Sequence, residues 1–155
     1  MNRFFDIAFI PSRELMPWEA EKRGLSVTTG LFELAQMIRL RSDIAGGVIE
    51  LDAGFISDLA SIPGLLEWLT MATDDQRISG GSWFHDYLYQ NGGRCPIYDE
   101  SGAFIKIVQL TRKQCDQILC YEAMPDLGAS KADCWKVYTG LAIGGRFNFK
   151  KNPIT

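Results

Sequence analysis

The chain has 155 residues, 46% hydrophobic and 23% charged, with a formal net charge of −3. One domain of that length buries about two thirds of the surface its unfolded chain exposes, so a packed core needs no disulfide or metal staple. Lys and Arg form no long run, which excludes the electrostatic footprint of a nucleic-acid binder.

Four cysteines stand at 95, 115, 120 and 134, without a Cys-x-x-Cys pair and with a single histidine in the chain. Zinc-finger spacing is therefore missing, and the cysteines read as free, buried thiols; a Cys120 to Cys134 bridge has no support. The start carries Arg3 and apolar residues, but Asp6 and Pro11 keep its apolar run too short for a signal peptide. No apolar stretch approaches the roughly 20 residues that span a bilayer. The expectation is a soluble protein made in the cytoplasm, with no membrane insertion.

Residues 4–10 read as a short buried strand or edge segment, and 11–24 as a surface excursion that Trp18 anchors to the core. Residues 27–34 and 37–41 are predicted strands, the second from its alternation of apolar and basic side chains. The turn chemistry of 42–47 makes 36–53 a hairpin with a loop longer than two residues. Residues 63–72 have helical apolar spacing, with Pro63 in the first turn. A polar loop over 73–81 should lead to a helix capped by Ser82 and ending before Gly92. Residues 97–98 and 103–105 can pair across 99–102. Thr111 to Gln114 is a capping box that opens a helix, which Pro125 terminates. A last helix starts near Ser130, with Cys134, Val137, Tyr138, Leu141 and Ala142 on its apolar face, and ends at Gly144-Gly145. The pattern is that of one α+β domain over residues 1–155, a small antiparallel hairpin or sheet in the N-terminal half packed on three to four helices. It shows no repeat and no linker.

The candidate site centres on Ser82-Trp83-Phe84-His85-Asp86-Tyr87-Leu88-Tyr89, which holds the only histidine. If Ser82 is the cap, His85 occupies the third helical position, where the unsatisfied amides disfavour imidazolium and favour the Asp86 carboxylate. A neutral imidazole is what a general base or metal ligand needs, and a neighbouring carboxylate can orient it. Successive helical side chains diverge by about 100°, so His85 and Asp86 need not share a cavity. In the helix opened by Thr111, Cys115, Ile118, Leu119 and Ala123 form the apolar arc, with Glu122 inside it and Asp116 at its edge. An acid in an apolar stripe must pair, coordinate or protonate. Asp58 is set similarly among Phe55, Ile56, Leu59, Ala60 and Ile62. The plain alternative is that these groups cap helices and tie loops down. One histidine is too few for the metal-dependent His-Asp phosphohydrolases, and no Gly-x-Ser-x-Gly elbow supplies a serine nucleophile. Gly80-Gly81-Ser82 at a helix start could hold an anion through backbone amides.

The stretch from Gly54 to Pro63 (Gly-Phe-Ile-Ser-Asp-Leu-Ala-Ser-Ile-Pro), then His85-Asp86-Tyr87-Leu88-Tyr89, then Asp116 and Glu122-Ala123-Met124, resembles the signature of a mostly phage and prophage family, domain of unknown function 1353. The resemblance covers roughly Arg39 to Gly144. It leaves residues 1–25 as an N-terminal extension and 146–155 as a tail. Ser57 stands where threonine is usual and Cys115 where alanine is usual. The resemblance implies a phage origin and a compact α+β fold, and it transfers no activity.

Two main functions follow as expectations. One is a small hydrolase of cell-wall, peptide or phosphoester bonds, with His85, Asp58, Asp116 and Asp86 as catalytic candidates and Glu122 and Ser61 supporting. In that reading His85, Asp58 and Asp116 could hold a divalent ion, Zn, Mn or Mg. The other is a noncatalytic virion component, a tail or neck accessory protein, whose partners are phage structural proteins. A third, an inhibitor of a host defence protein, fits the size and acidity but points to no residue.

Overall fold

The structure is a computed structural model that describes residues 3–4, 10, 12–57, 76–144 and 149. The helix expected over 63–72 lies outside the described residues, as do Asp58 and Ser61.

Among the described residues, two antiparallel sheets form. The smaller has the order β1-β2-β5, from Ser12–Glu14, Phe32–Leu34 and Ile56–Ser57. The larger has the order β3-β4-β6-β7, from Ile38–Ser42, Gly47–Leu51, Arg94–Tyr98 and Phe104–Gln109. The β3-β4 hairpin follows the alternation read from sequence: Ile38 and Leu40 are buried, while Arg39 turns outward and pairs across the strands with Glu50 at 3.0 Å. The hairpin expected near residue 100 is also present and extends further than expected, as β6 and β7.

The helices are α1 (Pro17–Lys22), α2 (Gln76–Gln90), α3 (Arg112–Gln117), a wide turn over Ile118–Ala123, α4 (Met124–Asp126) and α5 (Lys131–Gly144). The Thr111 capping box is formed as expected, Gln114 N–H donating to the Thr111 hydroxyl and Thr111 N–H to the side-chain Oε1 of Gln114. Ser130 caps α5 by accepting from the Asp133 amide.

The main core lies between α2 and the larger sheet, where Trp83, Phe84 and Leu88 meet Leu40, Ile49, Leu51 and Ile97, and Cys115 and Ile118 close one side. A second cluster joins the wide turn to α5 through Leu119, Cys120, Met124, Cys134, Val137 and Leu141. Leu15, Ala20 and Leu31 form a third beneath α1. The four cysteines are free and buried.

Several local expectations are corrected. Trp18 is 62% exposed; Leu15 and Ala20 anchor that segment instead. The strand expected over 27–34 is confined to Phe32–Leu34, because Gly30 turns the chain with φ +70°. Helix α2 is already formed at Gln76, so Gly80 and Gly81 lie within a helix and Ser82 is not its cap. Packing overrides glycine's poor propensity there. A Cβ on Gly80 would lie 2.5 Å from Leu127 Cδ1, and one on Gly81 would lie 2.6 Å from Leu119 Cδ1 and 3.0 Å from Ala123 Cβ. The anion-binding reading of these glycines goes with the lost helix start.

Pro125 does not stop its helix. Proline lacks an N–H and crowds the carbonyl four residues back, and the wide turn before it relieves that crowding, with Met124 N–H bonding to the carbonyl of Leu119. The stop comes at Gly128, φ +91°, where Gly128 N–H reaches Pro125 O and Ala129 N–H reaches Met124 O. Ala142, expected on the apolar face of α5, is exposed.

Candidate functional site

His85 sits well inside α2, beyond the reach of the partial charge at a helix N-terminus. The electrostatic argument for a neutral imidazole therefore does not apply. A cross-helix contact fixes the ring instead. His85 Nε2 lies 2.9 Å from Asp116 Oδ1, and the Tyr89 hydroxyl donates to the same oxygen at 2.5 Å. Tyr89 follows His85 by one helical turn, so the two rings meet, tilted by 38° with centroids 4.0 Å apart. Phe149 makes a T-shaped contact with Tyr89, centroids 5.3 Å apart.

Burial, then the hydrogen bond to Asp116 and its charge, raise the Tyr89 phenol above its ordinary ionisation range. Its proton stays in place, and Asp116 is the acceptor. With the carboxylate accepting, a neutral His85 donates from Nε2 and keeps its basic lone pair on Nδ1. Arg112, one turn before Asp116, brings Nη1 to 3.8 Å from Asp116 Oδ2 and donates to the carbonyl of Leu141 at 3.0 Å. His85 and Asp116 are each 2% exposed, and Tyr89 is 3% exposed.

Asp86 belongs to a different surface. The angle between neighbouring helical positions turns it away from Asp116, and its Oδ2 accepts from Gln90 Nε2 at 2.9 Å. Asp86 and Gln90 line an open groove of about 600 Å³ with Leu25, Val27, Leu31, Phe55 and Ile56. Of the four catalytic candidates, His85 and Asp116 converge and Asp86 stands apart. Asp58, like the supporting Ser61, lies outside the described residues.

Glu122 answers the question of what an acid does inside an apolar stripe. Its Oε2 accepts from the Ser42 hydroxyl at 2.6 Å, and its Oε1 accepts from the amides of Asp43 and Ile44 at 2.8 and 3.1 Å. Arg3 adds a cation 3.5 Å from Oε1. The carboxylate thus holds the β3-β4 turn against the helix.

Among the described residues, no group of three His, Cys, Asp or Glu side chains is placed to hold a metal ion. The described members of the expected metal set, His85 and Asp116, are bonded directly to each other. Asp116 Oδ1 already serves two donors, and Oδ2 faces the Arg112 cation.

The sequence reading places Tyr89 in the candidate stretch and Arg112 in the Thr111 cap but gives neither a role at the site, although the signal is available. Each lies four positions from a site residue, Tyr89 after His85 and Arg112 before Asp116, the spacing at which helical side chains meet.

The family model described as protein of unknown function (DUF1353) matches residues 32–141. The match takes in β2 through most of α5 and every described site residue. No curated protein and no solved structure matches the chain.

Proposed function

We propose that this chain, which belongs to the DUF1353 family of proteins of unknown function, is a small hydrolase with His85 as its general base. The observation that carries the reading is the 2.9 Å contact of His85 Nε2 with Asp116 Oδ1, reinforced by Tyr89 on the same oxygen. That arrangement leaves Nδ1 as the proton acceptor and places a carboxylate where it stabilises the imidazolium formed when a water proton is taken. The hydroxide so generated attacks the scissile carbonyl or phosphoryl centre, and the imidazolium returns its proton to the leaving group. Asp58 and Ser61, which the family signature groups with His85, are the candidates for positioning water or substrate. Cell-wall, peptide and phosphoester bonds are the substrate classes suited to the phage setting that the resemblance implies.

The test is a substrate panel of those three bond types, run on the native chain, His85→Ala and Asp116→Asn, with and without a chelator. Turnover by the native chain that falls at least 100-fold in both variants, while circular dichroism stays native, is the expected result. Undiminished turnover in a folded His85→Ala variant overturns the reading.

The burial of His85, Asp116 and Tyr89 favours a second reading. Here the three form a polar network inside a noncatalytic virion component. Stoichiometric co-purification with intact particles, without turnover on the panel, is the outcome that selects it.

A further inference from the structure

A general base works only when the proton it takes comes within hydrogen-bond reach, directly or through one water. His85 and Asp116 are buried, and so is Tyr89, whose ring lies against the imidazole. For His85 to meet a substrate, some group beside it has to move.

The helices that carry the network are fixed in the core. Phe84 and Leu88 flank His85 on α2, Cys115 and Ile118 flank Asp116 from α3 into the wide turn, and all four side chains are buried. Phe149 is held differently. It is half-buried, stands five residues past the last residue of α5, and lies beyond the 32–141 span of the family match. Its ring packs at the margin of the main core and meets Tyr89, which meets His85, so three aromatic rings run in series from the chain end inward.

The root of that chain end is tied to the same network. The last carbonyls of a helix have no partner within it and take donors from elsewhere. In α5 the Leu141 carbonyl accepts from Arg112 Nη1 at 3.0 Å, and the same nitrogen lies 3.8 Å from Asp116 Oδ2. One guanidinium thus links the last turn of α5 to the carboxylate that holds His85.

We infer that Phe149 is a cover over the His85–Asp116 network, closed by its contact with Tyr89 and displaced when substrate is admitted. The regulatory role rests on the reading of His85 as general base; the covering does not, and the two are tested apart. Displacing one half-buried ring beyond the last helix leaves the packing of α2 on α3 in place, whereas parting those helices breaks the main core. Openings that break the fewest buried contacts are the ones most often populated.

The single histidine makes the test specific. Diethyl pyrocarbonate, which acylates the neutral imidazole, is applied near neutral pH to the full-length native chain, Phe149→Ala and Ile143→Ala, and modified His85 is quantified by peptide mass. Ile143 is exposed near the same end of α5 and controls for general loosening there. His85 is expected to react slowly in the native chain and in Ile143→Ala, and at least about tenfold faster in Phe149→Ala with native circular dichroism. Phe149→Val repeats the test if the alanine variant does not fold. On the hydrolase panel, Phe149→Ala is expected to raise turnover. Faster acylation without turnover upholds the cover and counts against the general-base reading. Turnover that depends on His85, with acylation unchanged in the folded Phe149 variants, overturns the cover and leaves that reading standing. Native His85 reacting as fast as in the urea-unfolded chain, or equal acceleration in Ile143→Ala, also overturns the cover.

Discussion

His85 and Asp116, on different helices, meet at 2.9 Å in the core between α2 and α3. Asp116 is thereby the common acceptor for two buried donors, and its loss strands both His85 and the Tyr89 hydroxyl. Asp116→Ala is expected to destabilise the fold by about 3 kcal/mol, and Tyr89→Phe, which deletes one donor cleanly, by about 1 kcal/mol. Urea midpoints of the two variants check the order.

Glu122 holds the β3-β4 turn through one hydroxyl and two amides. Glu122→Ala is expected to cost about 2–3 kcal/mol and to speed amide hydrogen exchange at Asp43 and Ile44. Exchange within β4 itself should change less, because its ladder with Ile38 to Ser42 remains.

Alanine is the better helix former, yet Gly81→Ala should destabilise. The added methyl meets Leu119 Cδ1 and Ala123 Cβ, and overpacking of that kind costs about 1–3 kcal/mol. Combining it with Leu119→Ala opens the space the methyl needs. The double variant should then be more stable than the sum of the single losses predicts, which a double-mutant cycle on thermal or urea unfolding measures.

Burial pushes the Cys95 and Cys115 thiols up from 9.0 to about 12, and the Tyr87 phenol up from 10.0 to about 12. Above pH 9 the unfolded chain releases these protons first and so binds fewer than the folded one, which makes stability fall as pH rises. The contribution of these groups is complete below pH 9 and is lost as pH climbs toward 12. Urea midpoints at pH 8 and pH 10.5 should show the drop. At pH 8 a thiol reagent should modify the native chain far more slowly than the urea-unfolded one.

The parts of this fold that could be read from the sequence are those decided locally. The β3-β4 hairpin shows in the alternation of Ile38, Arg39, Leu40 and Arg41, and the Thr111 cap in its own side chains. The start of α2 could not be read, because Gly80 and Gly81 look like a loop until Leu119 and Leu127 are seen to fill the space beside them. At the site, sequence marked His85, Asp116 and Glu122 as polar groups that needed partners. It could not assign those partners, since Ser42 lies 80 residues from Glu122 and Asp116 lies 31 from His85. Pro125 misled for a related reason: a proline ends a regular helix, but a widened one carries past it.

That widened turn also sets an angle. Asp116 and Glu122 stand on either side of its start and face different partners, one toward α2 and the other toward the β3-β4 turn. Each residue of regular helix rotates the next by about 100°, and a wide turn rotates it by less. Regular winding over the same number of residues would swing one carboxylate off its target, so the wide turn acts as the gear that keeps six positions in step with two partners.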